Sequence, residues 1–171
     1  DMFFNKNYVV KKLDEVAWTS SGSTPKRSIS EYYDNGSIPW VKSGDLHKNY
    51  ILEASEFITE TALNETSAKL LEPGAILIAM YGATVGAVSE LKISAATNQA
   101  VCAIIPKDEN LDATYLKYFL ISQYDYILGL AVGGAQANIS QAIIKNLDIP
   151  IPSRQVQENF SEVMKTIDGV R

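Results

Sequence analysis

Apolar and polar positions follow one another in blocks between Gly74 and Ala103, GAILIAMYGATVGAVSELKISAATNQAVCA. The apolar run Ala75–Met80 breaks at Tyr81-Gly82 and resumes over Ala83–Val88. The chain then turns through Ser89–Ala96, presents Thr97-Asn98-Gln99 and enters a last apolar run, Ala100–Ile105. Short runs rich in Val and Ile, punctuated by Gly and Asn, predict buried strands joined by tight loops. Tyr81, Thr84, Asn98 and Gln99 fall at or beside the strand ends, where a sheet holds the backbone and side chains remain free to meet a partner. Asn and Gln carry paired donors and acceptors that suit the edges of bases. No nucleophile sits beside a base in this stretch. It is patterned to recognise rather than to react.

Upstream, Tyr8–Val16 is a short amphipathic segment, one or two helical turns or an edge strand. Thr19–Arg27 is a polar Gly- and Pro-bearing loop. It reads either as a solvated linker or as a phosphate-contacting loop, with the amides of Gly22 and Ser23, Thr24 beside them, and the adjacent cations Lys26 and Arg27 facing a duplex. Tyr32–Gly36 is a turn, and Ile38–Lys42 is a strand whose Trp40 is a core anchor. In the loop that follows, Ser43 and Asp45 either cap the backbone or touch a partner. Ile51–Ile58 reads as one strand, with Thr59 as N-cap of a helix over Glu60–Asn64.

Leu111–Leu130 is the longest helical pattern, with Leu116, Phe119, Leu120, Tyr124, Ile127 and Leu128 on a broad apolar face. The loop Gly133–Asn138 permits close backbone approach at Gly134 and again offers amides, at Gln136 and Asn138. Ser140 caps a short helix over Gln141–Lys145, and Leu147–Ile151 returns as a strand. Beyond Ser153, read as a third N-cap, Val156, Phe160, Val163, Ile167 and Val170 step by four and three in the manner of a coiled-coil seam. That helix either packs back on its own domain or projects away as the first part of a longer coiled coil.

Composition narrows the picture. With 46% hydrophobic and 20% charged residues, the 171-residue chain can bury a sizeable core. A lone cysteine, Cys102, excludes an intramolecular disulfide. No apolar run is long enough to span a membrane and no signal-peptide pattern opens the chain, so a soluble, cytoplasmic protein is expected. The net charge of −5 runs against the basic face that nucleic-acid binding demands. It is uneven, however. Residues 1–50 hold seven Lys/Arg against six Asp/Glu, and the remainder eight against fourteen.

Catalytic patterns are incomplete. Gly82-Ala83-Thr84-Val85-Gly86 lacks the Gly-Lys-Ser/Thr of a nucleotide loop. One histidine, His47, and one cysteine leave no zinc constellation. Asp45 and His47 make half a triad without a serine elbow, and Glu90-Leu91-Lys92 is a three-residue fragment of a nuclease metal site. No Asn-Pro-Pro-aromatic methyltransferase motif is present. The expectation is no catalysis, no cofactor and no metal, with a weak metal-dependent nuclease domain and a pure protein-interaction module as alternatives.

The order of the pieces carries a resemblance. Trp18, Ser21-Gly22-Ser23-Thr24-Pro25, Tyr33 through Leu46, Ile58–Leu63, Ser67–Leu71, Gly74–Leu77, Met80–Gly86, Ala96–Ala100 and Ile149–Pro152 before a Gln-bearing helix span nearly the whole chain. Together they resemble the target recognition domain of the specificity subunit of type I restriction-modification enzymes. The resemblance implies an α/β (α+β) fold: one recognition domain, residues 1–152, with a twisted, partly barrel-like sheet and flanking helices, then the start of a helical spacer region at 153–171. In that family each domain reads half of a bipartite double-stranded DNA target in a bacterial or archaeal cell. Methylation and cleavage belong to the modification and restriction subunits that dock on the specificity subunit. Family subunits hold two recognition domains, so this chain reads as a fragment or a half-length subunit. Its second recognition domain would lie in the same chain or arrive by dimerisation. The DNA-facing candidates are Ser23, Thr24, Lys26, Arg27, Lys42, Ser43, Asp45, Tyr81, Gly82, Thr84, Asn98, Gln99, Gly134, Gln136 and Asn138, expected on one face of the domain. The seam from Val156 to Val170 is the candidate helix interface.

Overall fold

A computed structural model describes Phe3, residues 7–132 and residues 137–169 of the chain. The candidates Gly134, Gln136 and Val170 lie outside the described residues. Among the described residues the strands do not close into a barrel but form three sheets. The largest contains β2 (Ala17–Ser21), β9 (Val101–Pro106), β6 (Ile76–Ala79), β7 (Val88–Leu91) and β4 (Tyr50–Ile51), in that order. A second contains β5 (Glu56–Ile58), β3 (Ile38–Val41) and β8 (Ala96–Thr97), and a third pairs β1 (Val9–Lys12) with β10 (Asp148–Ile151).

β6 is apolar at every position because both its faces are covered. Strand alternation sends Ile76 and Ile78 into one core with Cys102 and Ile104, beneath α3 (Ala113–Ser122). Leu77 and Ala79 enter another with Val41, Leu46 and Leu91. A third cluster, around Trp40, Ile38 and Ile58, seats the three-stranded sheet on α2 (Glu60–Glu65). Trp40 is thus the core anchor that its context predicted.

Several predicted boundaries move. Tyr8–Val16 is both an edge strand, β1, and one helical turn, α1 (Leu13–Val16). Ile51–Ile58 divides between two sheets, as β4 and β5. Ala83–Val88 is mostly a turn, with Gly82 and Gly86 at positive φ, and the strand begins at Val88. Ser89 and Glu90, polar enough to predict a turn, are buried in β7. Ser89 Oγ donates to the Lys48 carbonyl at 2.6 Å, and Glu90 pairs with Lys92 and with Lys117. Leu111–Leu130 breaks at Gln123 into α3 and α4 (Tyr124–Gly129). The caps at Thr59 and Ser140 form as predicted, the latter on α5 (Gln141–Lys145).

The last helix, α6 (Arg154–Ile167), lies back along α3 rather than projecting away. Ser153 makes no side-chain cap. Buried Gln157 instead ties the first turn to the segments before α3 and α6, donating to the carbonyls of Asn110 (2.9 Å) and Pro152 (3.0 Å) and accepting from the Asp112 amide (2.8 Å). Phe160 inserts among Phe3, Tyr115 and Tyr118. Beyond the helix end, Asp168 accepts from Tyr50 (2.5 Å) and Tyr118 and lies 3.8 Å from the ammonium of fully buried Lys117.

Candidate nucleic-acid interface

Most of the loop residues singled out by sequence are joined into one continuous arc. It begins where the loop after β2 is fastened to the β8–β9 connection. Gly22 N–H donates to Val101 O (3.1 Å), Ser23 N–H to Thr97 O (2.9 Å), and Thr24 Oγ1 to Gln99 Oε1. Trp40 Nε1 donates to the Ser23 carbonyl at 3.1 Å, so the core anchor also fixes this loop. Asn98 N–H then donates to Val41 O at 3.0 Å, linking the arc to the end of β3. The Asn98 side-chain oxygen is buried and has no hydrogen-bond partner among the described residues. A buried acceptor left in that state is costly unless something else satisfies it.

The arc continues through Lys42–Asp45. Asp45 Oδ2 accepts from the Lys42 amide (2.9 Å) and Ser55 Oγ (3.2 Å), so of its two readings the capping one is realised here. Thr84 Oγ1 donates to the Ser43 carbonyl at 2.5 Å, and a Cβ on Gly82 would lie 3.5 Å from Ser43 Oγ. Positive φ at Gly82 and Gly86 turns this segment, and the Tyr124 ring of α4 packs against Gly86. Tyr81 bridges to Asn138, whose backbone also exchanges hydrogen bonds with Val132 (2.9 and 3.0 Å). The Asn138 side chain is exposed.

Cations along the arc differ in kind. Lys26 is exposed and makes no ion pair among the described residues. Arg27 and Lys42 share one carboxylate: Arg27 Nη2 lies 2.6 Å from Glu56 Oε2 and Lys42 Nζ 2.5 Å from Glu56 Oε1. The hydrogen bond from Lys42 and the proximity of Arg27 hold the Glu56 carboxyl below its usual range, against the effect of burial. Arg27 also lies over two rings, 4.5 Å from the Tyr33 centroid and 5.0 Å from that of Trp40. Sequence reading missed Glu56 and Tyr33. Glu56 reaches the arc because β3 pairs with β5 in a register that sets it opposite Trp40.

The residues that raised alternative chemistries are engaged otherwise. Glu90 is buried against Lys117, and His47 Nδ1 lies 3.1 Å from the Gly44 carbonyl. Among the described residues no group of His, Cys, Asp or Glu could hold a metal ion, and no helix is long and apolar enough to cross a membrane. Elsewhere, α6 exposes Val156, Val163 and Ile167 (43, 57 and 69%) beside a groove of about 530 Å³ that Phe3, Tyr115 and Phe160 help to line. The seam therefore splits, with Phe160 turned inward and the three aliphatic residues outward.

Residues 5–170 match the family model of the type I restriction modification DNA specificity domain. The specificity subunit of the type I restriction enzyme MjaIX from Methanocaldococcus jannaschii is 32% identical over 170 residues, covering 96% of this chain and 39% of that subunit. The EcoR124I/EcoR124II specificity subunit of Escherichia coli is 29% identical over 163 residues, 92% of this chain and 40% of that one. The structure of an HsdS subunit from Thermoanaerobacter tengcongensis superposes with a TM-score of 0.72 over 97% of this chain and 38% of that chain. At 18% identity that likeness shows the fold. The chain spans about two fifths of the length of the subunits it matches.

Proposed function

Since the chain belongs to the type I restriction modification DNA specificity domain family, we propose that it reads one half of a bipartite duplex DNA target and carries no chemistry of its own. The observation that supports this most is the arc itself. Backbone and side-chain hydrogen bonds fix the loops of the arc to the sheets and to one another, while Lys26, Gln99 and Asn138 keep side chains toward solvent. Such preorganisation lowers the ordering cost of binding. Gln99 Oε1 accepts from Thr24, which leaves its amide N–H groups to donate to a base.

On this reading residues 1–152 are the recognition domain and 153–171 begin the helical spacer. The exposed aliphatic residues of α6 meet the helical region that carries the second recognition domain, in the same chain or a second copy. Modification and restriction subunits dock on the assembly inside a bacterial or archaeal cell and supply methylation and cleavage. They also supply part of the phosphate grip that a chain of net charge −5 lacks.

The test is binding to duplex DNA with and without modification subunits. Lys26→Ala should weaken cognate and non-cognate duplexes alike and flatten the salt dependence by about one unit of slope. Gln99→Ala should mainly erode preference for the cognate half-site. Assembly with the modification subunits but no sequence-selective binding would instead favour a pure protein-interaction module.

A further inference from the structure

We propose that Arg27 is a base-reading residue selective for guanine, held in reading position by Glu56, Tyr33 and Trp40, rather than a grip on phosphate. This rests on the DNA-reading function proposed above and names one of its specificity determinants. Three restraints act on one guanidinium. Nη2 lies 2.6 Å from Glu56 Oε2, and Cζ lies 4.5 Å from the Tyr33 ring centroid and 5.0 Å from that of Trp40. The side chain is nevertheless 54% exposed, and its remaining N–H groups have no partner among the described residues. An Arg pinned along one edge and open along another offers two parallel N–H donors. That fork matches O6 and N7 of guanine in the major groove.

The carboxylate discriminates between the two roles. A phosphate approaching Arg27 would meet the negative charge of Glu56 close by, which weakens the attraction although Lys42 leaves the trio one positive charge in excess. The guanine edge presents acceptors of only partial charge and suffers far less of that repulsion. A cation kept for phosphates would be better left as Lys26 is, exposed and without an ion pair among the described residues. Lys42, on the other oxygen of Glu56 at 2.5 Å, keeps that carboxylate ionised and oriented, so the pair of rings and the acid form a rigid seat.

The experiment is a selection from a duplex library randomised across the half-site, using the full chain assembled with its modification subunits. Wild type should require guanine at one position at least. Arg27→Lys, which retains the charge but not the fork, should relax one guanine position by about 10- to 100-fold and leave the others unchanged. Glu56→Gln should relax the same position several-fold while tightening binding to non-cognate duplex. An unchanged Arg27→Lys profile with uniformly weaker binding overturns the proposal in favour of a phosphate contact. A Glu56→Gln profile that keeps full selectivity at that position overturns the positioning role. Wild type selecting no sequence at all would instead overturn the DNA-reading function beneath it.

Discussion

Gly22 sits so close to Thr97 that a Cβ on it would come within 2.2 Å of the Thr97 carbonyl oxygen and 2.3 Å of that of Asn98. Both obstacles are backbone, held in place by β8, β9 and the Asn98–Val41 hydrogen bond. The loop carrying Lys26 and Arg27 can lie against the Asn98-Gln99 turn only without a side chain at that point.

Gly22→Ala should therefore separate the two loops and destabilise the domain by about 1–3 kcal/mol, the usual cost of forcing atoms into a packed site. A melting midpoint lower by roughly 2–12 °C is expected. Gly44→Ala is the control, because nothing lies within 4 Å of its Cβ position. Equal midpoints for the two variants would contradict the close approach.

The end of α6 is secured by charge. Lys117 is fully buried, 3.4 Å from Glu90 and 3.8 Å from Asp168, with the Tyr50 ring 3.8 Å from its ammonium. Burial presses its pKa down, and the two carboxylates oppose that shift. Asp168→Ala would leave Lys117 with Glu90 alone and two tyrosine hydroxyls without their acceptor. A loss of about 3 kcal/mol in urea unfolding is expected, at the low end for a broken buried pair because Glu90 remains. An unchanged urea midpoint would show that α6 holds without this contact.

Acid should act on the same contact in one direction. Burial works to raise the Asp168 pKa, but hydrogen bonds from Tyr118 and Tyr50 and the charge of Lys117 outweigh it and leave the pKa lowered. A carboxyl depressed on folding contributes its stability above the unfolded value near 3.8 and loses it as pH falls through the folded one. Unfolding free energy measured from pH 6 to pH 3 should hold to about pH 4 and then fall, less steeply in Asp168→Ala. Parallel profiles would exclude Asp168 as a source.

The two sides of α6 should respond differently to a carboxylate. Val163→Asp and Ile167→Asp change exposed positions and should alter stability by no more than about 0.5 kcal/mol while abolishing association with a partner helix. Phe160→Asp places the charge among Phe3, Tyr115 and Tyr118 and should cost several kcal/mol. Sedimentation and thermal melts distinguish the cases. Loss of the fold in Val163→Asp would show that the outer seam serves the domain core.

Cys102 should be inert in the native state. Its thiol is buried in β9, and burial pushes its pKa up to about 12. Labelling by a chromogenic disulfide at pH 8 should proceed only at the rate of unfolding. Rapid stoichiometric labelling without denaturant would mean that this part of the core opens locally.

Much of the domain was legible from local pattern. Ile76–Ala79 and Val101–Ile104 read as buried strands because a strand covered on both faces needs apolar residues at consecutive positions. Thr59 and Ser140 announced helix starts because each bonds an amide three residues on. The ordered motifs from Trp18 to Pro152 also carried the family, since loop residues were met in the expected sequence.

Other features depended on residues remote in sequence. Ser89 and Glu90 looked like a turn by polarity, and only Lys48, Lys92 and Lys117 make them a buried strand. The four-three spacing of α6 located an apolar stripe but not its orientation, which Gln157, Ser161 and Asp168 set by bonding across to Asp112, Tyr50 and Tyr118. Likewise Lys26 and Arg27 are adjacent cations in the sequence, and sheet register alone brings Glu56 to one and not the other. Sequence by itself determined the buried strands at Ile76–Ala79 and Val101–Ile104, the caps at Thr59 and Ser140 and the family, because these follow from period, propensity and motif order. Tertiary structure decided which polar groups are satisfied by one another, because a hydrogen bond or ion pair depends on atoms a few ångströms apart that the chain alone can place anywhere.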